Sequence, residues 1–557
     1  MKSIIKLYLT CFKYLKGNNL RYFLCLGLTL LTIVIQTIEP YLTALLISSI
    51  FDNQQSYFMQ ILVVFSVLHL CGVILTYCNN KLENRIRRDV NCEVKLDIVH
   101  KINAVRFTYL QKYFSGELVN IVYNDTNSIS SYLFLMNSYF FDAITLIVIG
   151  FVAVRINIFL AIILVLPFPI IYLINSVLSK KIKKRSIELF KRNDRFMTFT
   201  KSLFSNVLDI KSNNGGGKFN QLFSKEIGEI KRQIIYRDEL QLNLSMSTRV
   251  INFIGRIIYF AVAGILVFNK KFAPSIFITF SSYINRINSS LLSISTMSAS
   301  LQNSIVSINR VLQVEEQCID GIADDADKKE IGLLKTGIQL NNVSYEIDGT
   351  SILKKINLFI QPQAHILLTG KNGSGKTTLI NLIGGLYEPT SGCILFDNLN
   401  LQDIKFSSIN TIIGIVTDKA VIYPMSIYDN LTLGCKDIIK KENILQLCKE
   451  VELYNDLAAF PNGLDTIIDE SINLSAGQKK KIQWVRCIAK NPHIVLLDEP
   501  LTNLDQTVRY KFEYLFMKYF KDKTVIMVSH EQVTDKLFSL VYSLNKKGIL
   551  EPVNISL

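Results

Sequence analysis

Gly370-Lys371-Asn372-Gly373-Ser374-Gly375-Lys376-Thr377-Thr378 follows the apolar run Ile366-Leu367-Leu368-Thr369 and precedes Leu379-Ile380-Asn381-Leu382-Ile383. A strand, a glycine-rich turn and a helix are written in that order, which is the P-loop arrangement. Backbone N–H groups of the turn and of the helix N-terminus converge on phosphate oxygens. Lys376 is expected to reach the terminal phosphates, and the Thr377 hydroxyl to ligate magnesium. Residues 370–378 therefore imply binding of a nucleoside triphosphate. A bare glycine-rich turn would be an ordinary loop; the lysine, the threonine and the flanking strand make the difference.

Around this segment the pattern is that of an α/β domain. Short β-like stretches cover 337–345 and 352–360, and the apolar runs 494–497 and 525–528 read as strands of a buried parallel sheet. The run Ile494-Val495-Leu496-Leu497 ends at Asp498-Glu499-Pro500. Both carboxylates thus fall at the carboxyl end of a core strand, where open α/β sheets place their ligands. Asp498 is suited to hold magnesium through water, and Glu499 to polarise the attacking water. Such a uniformly apolar preceding strand argues against a mere surface acidic pair.

The N-terminal half reads differently. Of the 557 residues, 49% are hydrophobic and 19% charged, which marks an integral membrane protein fused to something soluble. Six apolar stretches, near 22–49, 57–79, 131–153, 157–178, 249–268 and 273–297, approach the roughly 20 residues a spanning helix needs. The last is interrupted by Tyr283, Asn285, Arg286 and Asn288. The connections after the first, third and fifth are short. Those after the second and fourth are long and basic, which assigns them, the N-terminus and the C-terminal domain to the cytoplasm. Residues 81–130 and 180–245 carry recurrent apolar positions among charges, so they are expected to extend the spans as helical stalks. The turns at the stalk ends are expected around 113–118 and 215–217. Pro40, Pro167 and Pro169 are expected to kink the first and fourth spans. Glu39, Asp142, Arg256 and Arg286 lie within spans, where charge is costly; they line a cavity, pair with one another or snorkel.

The formal charge of +15 invites a nucleic-acid reading. Its crowding beside apolar spans, as in Lys180-Lys181-Ile182-Lys183-Lys184-Arg185, fits lipid headgroups instead, so no nucleic-acid partner is expected. Ten scattered cysteines without a Cys-x-x-Cys pair suggest neither a disulfide framework nor a zinc site. No cleavable signal is evident before the first span. The expected division is a transmembrane domain over 1–310, a charged linker over 311–335 and a nucleotide-binding domain over 336–557.

Asn473-Leu474-Ser475-Ala476-Gly477-Gln478 precedes an amphipathic helix and the Asp-Glu strand, and Val528-Ser529-His530 follows a later strand. With the P-loop, this order resembles the ATPase of ATP-binding cassette (ABC) transporters across the whole soluble half. The resemblance implies ATP and Mg2+ as ligands. It implies that Ser475, Gly477 and Gln478 cap the γ-phosphate of a nucleotide on a partner subunit, that Thr502-Asn503-Leu504-Asp505 is the family's D-loop, and that His530 positions Glu499 and water. Catalysis would then rest on Glu499 and His530. Three departures stand out: Ala476 replaces a glycine, Asp418 occupies the magnesium-ligating position usual for a glutamine, and Ile347 falls where an aromatic residue stacks on adenine, leaving Tyr345 to substitute.

Six spans before one cassette resemble a half-transporter of exporter type, similar to bacterial peptide, bacteriocin and multidrug exporters. The resemblance implies a multi-pass protein of the bacterial inner membrane that works as a homodimer or with a related half-transporter. It further implies that a peptide or other amphipathic small molecule is moved outward by alternating access. Cys11 has no catalytic histidine region beside it, so a peptide cargo is expected to be processed elsewhere. A lipid or lipid-linked glycan flippase would share every motif, and a non-transporting regulatory ATPase is the third class.

Overall fold

Hydrocarbon offers the backbone no hydrogen-bond partner, so apolar runs of this length close their bonds internally as helices. The computed structural model describes residues 2–111, 113, 115–269, 273–347, 349–458, 460–469, 472, 474–502, 504, 506–529 and 537–553. The first half holds α1 (Lys2–Phe12), α2 (Asn19–Phe51), α3 (Gln55–Ala104), α4 (Phe107–Leu110), α5 (Ser115–Asn120), α6 (Asn127–Ile156), α7 (Ile158–Val165), α8 (Pro167–Ser205), α9 (Val207–Ser212), α10 (Gly216–Phe268) and α11 (Pro274–Ala326). The chain forms two units: Met1–Asn103 with Lys112–Gln317, and Ala104–Gln111 with Cys318–Leu557.

Five helical stretches among the described residues are long and apolar enough to cross a membrane: Asn19–Phe51, Gln55–Ala104, Gly116–Ile156, Ile158–Ser205 and Gly216–Phe268. The sixth expected span lies in α11. That helix is continuous, yet Asn285, Arg286, Asn288, Ser289 and Ser290 keep it outside the set defined by composition. At 50 and 53 residues, α3 and α10 are about 75–80 Å long, far more than the roughly 30 Å hydrocarbon core. Pro40 sits inside α2, and Pro167 opens α8 where the fourth span breaks from α7.

The first stalk turn comes earlier than 113–118: α3 ends at Ala104, α4 follows, and α5 has begun by Ser115. The second falls at 213–215, where Gly215 starts α10. The charged stretch from 311 is helical too, since α11 runs on to Ala326. Val311, Val314, Glu315 and Cys318 are all buried, an i, i+3, i+4, i+7 seam in which a glutamate occupies a core position. Lys13 and Lys101 reach the Glu315 carboxylate at 2.7 and 2.6 Å, and the Tyr14 hydroxyl donates at 2.8 Å. Arg310, one turn earlier, pairs with Asp125 and Asp194 at 3.0 Å each.

In the second unit, β1 (Ile338–Ile347), β2 (Thr350–Ile360), β3 (His365–Thr369), α12 (Lys376–Ile383), β4 (Ser391–Phe396), β5 (Leu399–Asn400), α13 (Phe406–Ile412), β6 (Ile413–Val416), α14 (Ile427–Leu431), α15 (Lys441–Glu450), α16 (Tyr454–Ala458), α17 (Ala476–Lys490), β7 (Ile494–Asp498), α18 (Gln506–Phe520), β8 (Thr524–Val528), β9 (Leu540–Leu544) and β10 (Leu550–Pro552) follow in order. One sheet has the order β10-β9-β3-β8-β7-β6, parallel from β9 to β6; a smaller antiparallel sheet has the order β2-β1-β4-β5. Every residue of β7 and β8 is buried, as expected for strands covered on both faces.

Segment 104–111 packs on this unit. The buried Arg106 guanidinium donates to Asp325 Oδ1 at 3.0 Å and to the carbonyl oxygens of Leu401 and Ile404. Gln111 Nε2 donates to the Tyr345 hydroxyl at 2.8 Å, and Phe107 lies 6.2 Å from the Tyr387 ring. Gly321 is the close-approach point: a Cβ there would overlap Val105 Cγ2 and lie 2.9 Å from Tyr109 Cδ2.

Candidate nucleotide site

β3 ends at Thr369, and the chain then turns through Gly370 (φ +140°), Gly373 (φ +78°) and Gly375 (φ +99°) before α12 starts at Lys376. These positive φ values demand glycine and hold the N-terminal amides of α12 in a concave turn. A Cβ on Gly370 would collide with the Leu544 carbonyl and sit 3.2 Å from Ser374 Oγ, whereas Gly373 faces open space. Lys376 Nζ donates to the carbonyls of Gly370 (2.8 Å) and Lys371 (3.0 Å), which leaves the third of its three N–H donors for a phosphate oxygen. Ser374 Oγ is buried with no partner. An orphaned hydroxyl, a curled lysine and a glycine-walled cradle fit a polyphosphate. Burial pushes the Lys376 ammonium below the usual lysine range, opposed by the carboxylates of Glu499 and Asp498.

Asp498 closes β7 and is buried. Burial raises its pKa, and a hydrogen bond from Thr377 pulls it back. The expected metal ligands Thr377 and Asp498 are thus in direct contact, and Asp418 acts electrostatically on Asp498. The Thr377 hydroxyl and the Asp498 carboxylate are oxygen donors of the kind magnesium takes. Glu499 stands just beyond the strand with φ +47°, a left-handed conformation that side chains rarely adopt; its N–H is held by the Val528 carbonyl at 3.0 Å. Such strain at a strand end re-aims the carboxylate. Thr502 Oγ1 donates to the Glu499 carbonyl at 2.8 Å.

Ser475 caps α17. Its Oγ accepts from the Gln478 N–H at 3.1 Å and Gln478 Oε1 accepts from the Ser475 N–H at 2.9 Å, a complete capping box. Ala476 fits as the first helical residue. The cap presents the positive end of a 15-residue helix, with Gly477 in its first turn.

Two features were missed by reading the sequence. Lys480, 1% exposed, donates from Nζ to the carbonyls of Thr417 (2.9 Å) and Asp418 (3.3 Å). Gln483, with its amide oriented to match, pairs with Thr417 O (3.0 Å) and Thr417 N (2.9 Å). Helix α17 therefore grips the loop that carries Asp418, and Lys480 brings a cation that interacts with the Asp418 carboxylate. Three consecutive lysines at 479–481 on an amphipathic helix were the available signal, since one of them had to face inward.

Tyr345 is a correction. It is 4% exposed and stacked on Tyr387 with centroids 5.5 Å apart, so it has no face for adenine. Register shifts in the β1–β2 pairing on both sides of Tyr345 turn it inward while Ile347, of the same parity, is 40% exposed. His530, Asn503, Asp505, Asn473 and Phe114 lie outside the described residues.

The geometry is that of a P-loop ATPase, carried on the same chain as a multi-pass membrane region. Residues 22–291 match the ABC transporter transmembrane region family, and 353–502 match the ABC transporter family. The chain belongs to the ABC transporters: an ATP-hydrolysing half-transporter of exporter type, with one membrane region and one ATP-binding domain. It is 26% identical over 552 residues to the "Multidrug resistance-like ATP-binding protein MdlB" of Buchnera aphidicola subsp. Baizongia pistaciae, covering 96% of this chain and 93% of that protein. It is 24% identical over 498 residues to the "ATP-dependent lipid A-core flippase" of Syntrophus aciditrophicus, covering 88% and 81%.

Proposed function

We propose that two copies of this chain, or one copy and a related half-transporter, export a peptide or other amphipathic small molecule across a bacterial inner membrane. The N-terminus and the ATPase face the cytoplasm. The observation that supports this most directly is the presence on one polypeptide of two half-sites: the cradle at 370–378 with Asp498 and Glu499, and the capped N-terminus of α17. The second half-site has no nucleotide of its own to serve unless another cassette supplies one.

In this reading the amides of 370–376 and Lys376 bind and orient the ATP phosphates. Thr377, Asp498 and Asp418 would hold Mg2+, which when bound neutralises phosphate charge. Glu499 polarises the attacking water, positioned together with His530. Ser475, Gly477 and Gln478 close over the γ-phosphate of the opposite copy with helix-terminal N–H groups. ATP binding joins the cassettes, and hydrolysis separates them. Segment 104–111, seated on its cassette through Arg106 and Gln111, carries that change toward α3.

The test is Glu499→Gln in the full chain reconstituted in liposomes. Steady-state hydrolysis is expected to fall by about a hundredfold or more, while ATP binding persists and the dimer is trapped. Undiminished turnover removes Glu499 from its role, and a monomer at saturating ATP removes the paired-cassette mechanism. The name of the Syntrophus relative favours lipid flipping as a second reading.

A further inference from the structure

At the connection between α10 and α11, both helices carry an arginine twelve residues from the turn: Arg256 before Phe268 and Arg286 after Pro274. Twelve residues of helix rise about 18 Å, which puts both guanidinium groups near the middle of a hydrocarbon core roughly 30 Å thick. Charges at that depth are retained only with a partner or a purpose. The acids at similar depth have partners: Glu39 contacts His69 Nδ1 at 2.9 Å, and Asp142 accepts from Ser293 Oγ at 2.7 Å. The arginines do not. Among the described residues no carboxylate lies within 4.0 Å of either; Arg256 reaches only the neutral Asn285 Oδ1, at 3.3 Å, and Arg286 Nε is buried with no acceptor.

Two further polar atoms nearby lack partners. Asn252, 7% exposed and one turn before Arg256, leaves Oδ1 unpaired; Ser290, 1% exposed and one turn after Arg286, leaves Oγ unpaired. Residues four apart share a helix face, so each arginine is stacked with an orphaned polar group. A cleft of about 20 Å3, lined by Asn252, Gly255, Arg256, Ile284, Ile287 and Asn288 among others, opens beside Asn252 and Arg256, and the Asn285 that Arg256 contacts adjoins Arg286 in α11. It has room for one water-sized group and no more. Close approach makes the cleft: a Cβ on Gly255 would come within 3.0 Å of Pro167 Cγ.

Resting on the exporter reading above, we propose that Arg256 and Arg286 form an anion-recognition site for the transported molecule. The substrate is then an amphiphile with a carboxylate or phosphate at its polar end. One anionic oxygen enters the cleft, the remaining oxygens meet the guanidinium donors, and the apolar tail stays among the helices. Guanidinium suits this role because its planar donors match carboxylate and phosphate alike and stay charged in a low-dielectric site.

The experiment uses the full chain in phosphatidylcholine nanodiscs and a dansyl-labelled fatty acid, displaced by dodecyl phosphate, dodecanoate or dodecyltrimethylammonium. The tails are equal and only the head differs. Both anions are expected to displace the probe at about tenfold lower concentration than the cation, or lower still. That preference should vanish in the Arg256→Gln/Arg286→Gln double variant and return in Arg256→Lys/Arg286→Lys. The ranking of phosphate against carboxylate tells a lipid-type headgroup from a peptide-type terminus. Equal displacement by the cation in the unaltered protein, a measurement that needs no variant to fold, overturns the proposal, as does a preference that survives the double Gln variant. Glu499-dependent ATP hydrolysis without anion preference sinks the site and spares the exporter reading; anion preference without such hydrolysis does the reverse.

Discussion

The cassette and the membrane region solve the problem of buried charge in opposite ways. In the cassette, Lys376, Lys480, Asp498 and Asp418 crowd one site, and their charges are balanced locally by carbonyls, hydroxyls and one another. In the membrane region, Arg256 and Arg286 are left with almost nothing. The difference follows from what each site awaits. In the phosphate cradle only the Ser374 hydroxyl is left waiting, while the Lys376 charge is already met by backbone carbonyls before any phosphate arrives. A transport site that changes hands between two faces gains from remaining unsatisfied until cargo arrives.

The strongest way to break that comparison is to remove the cradle's cation. Lys376→Ala should lower ATP affinity by about a hundredfold, because a charge-assisted contact to phosphate is lost at about 1.5–3 kcal/mol. Equilibrium binding of a fluorescent ATP analogue checks this. Affinity within threefold of the unaltered protein would remove the cradle at 370–378 from the nucleotide site.

Lys480→Met sharpens the claim of local balance. It strands the carbonyls of Thr417 and Asp418 and removes the cation facing Asp418, and is expected to destabilise the cassette by about 2–3 kcal/mol. The chain's one tryptophan, Trp484, is buried in the same helix with its Nε1–H bonded to the Pro500 carbonyl at 3.1 Å, so its fluorescence reports cassette unfolding in the full protein. An unchanged transition would mean that Lys480 is a passenger. Gly321→Ala should shift the same transition less, by about 1–2 kcal/mol, since the added methyl overlaps Val105 and only segment 104–111 and its contacts must give.

These residues also mark where sequence reading stops. The P-loop, Asp498, Glu499 and the Ser475 cap were legible because each is a short contiguous motif whose local conformation is dictated by glycine, by a strand end or by a helix cap. Lys480 was not, because its acceptors lie 62 and 63 residues away on another loop. Tyr345 was misjudged because alternation along a strand holds only while pairing is regular, and β1 is bulged between it and Ile347. The sheet order, in which β3 lies between β8 and β9, comes from crossovers that no local pattern records. In the membrane region, the composition of α11 hid a helix that is continuous through Ala326. Its seam was disguised by Glu315, whose partners Lys13, Tyr14 and Lys101 lie more than 200 residues away.

Glu315 gives the smallest expected effect and the finest test of the comparison, since it is a charge in the first unit that, unlike Arg256 and Arg286, is fully met. Burial alone would raise its pKa, but hydrogen bonds from Lys101, Lys13 and Tyr14 outweigh it and hold the carboxyl below the usual glutamate range. A carboxyl whose pKa falls on folding contributes stability that is complete above its unfolded value of about 4.3 and is lost as pH drops through the lower folded value. The junction of α1 with α3 and α11 should therefore be constant from neutral pH down to about 4.3 and loosen below it, seen as faster pepsin cleavage within residues 2–17. Glu315→Gln keeps the shape but removes the charge, and should make the junction looser by about 1 kcal/mol at neutral pH and flatten the acid limb. If tryptic cleavage at Lys13 and Lys16 is no faster in that variant, the three contacts to Glu315 hold nothing in place, and satisfied charge in this unit has no more structural weight than the unsatisfied pair.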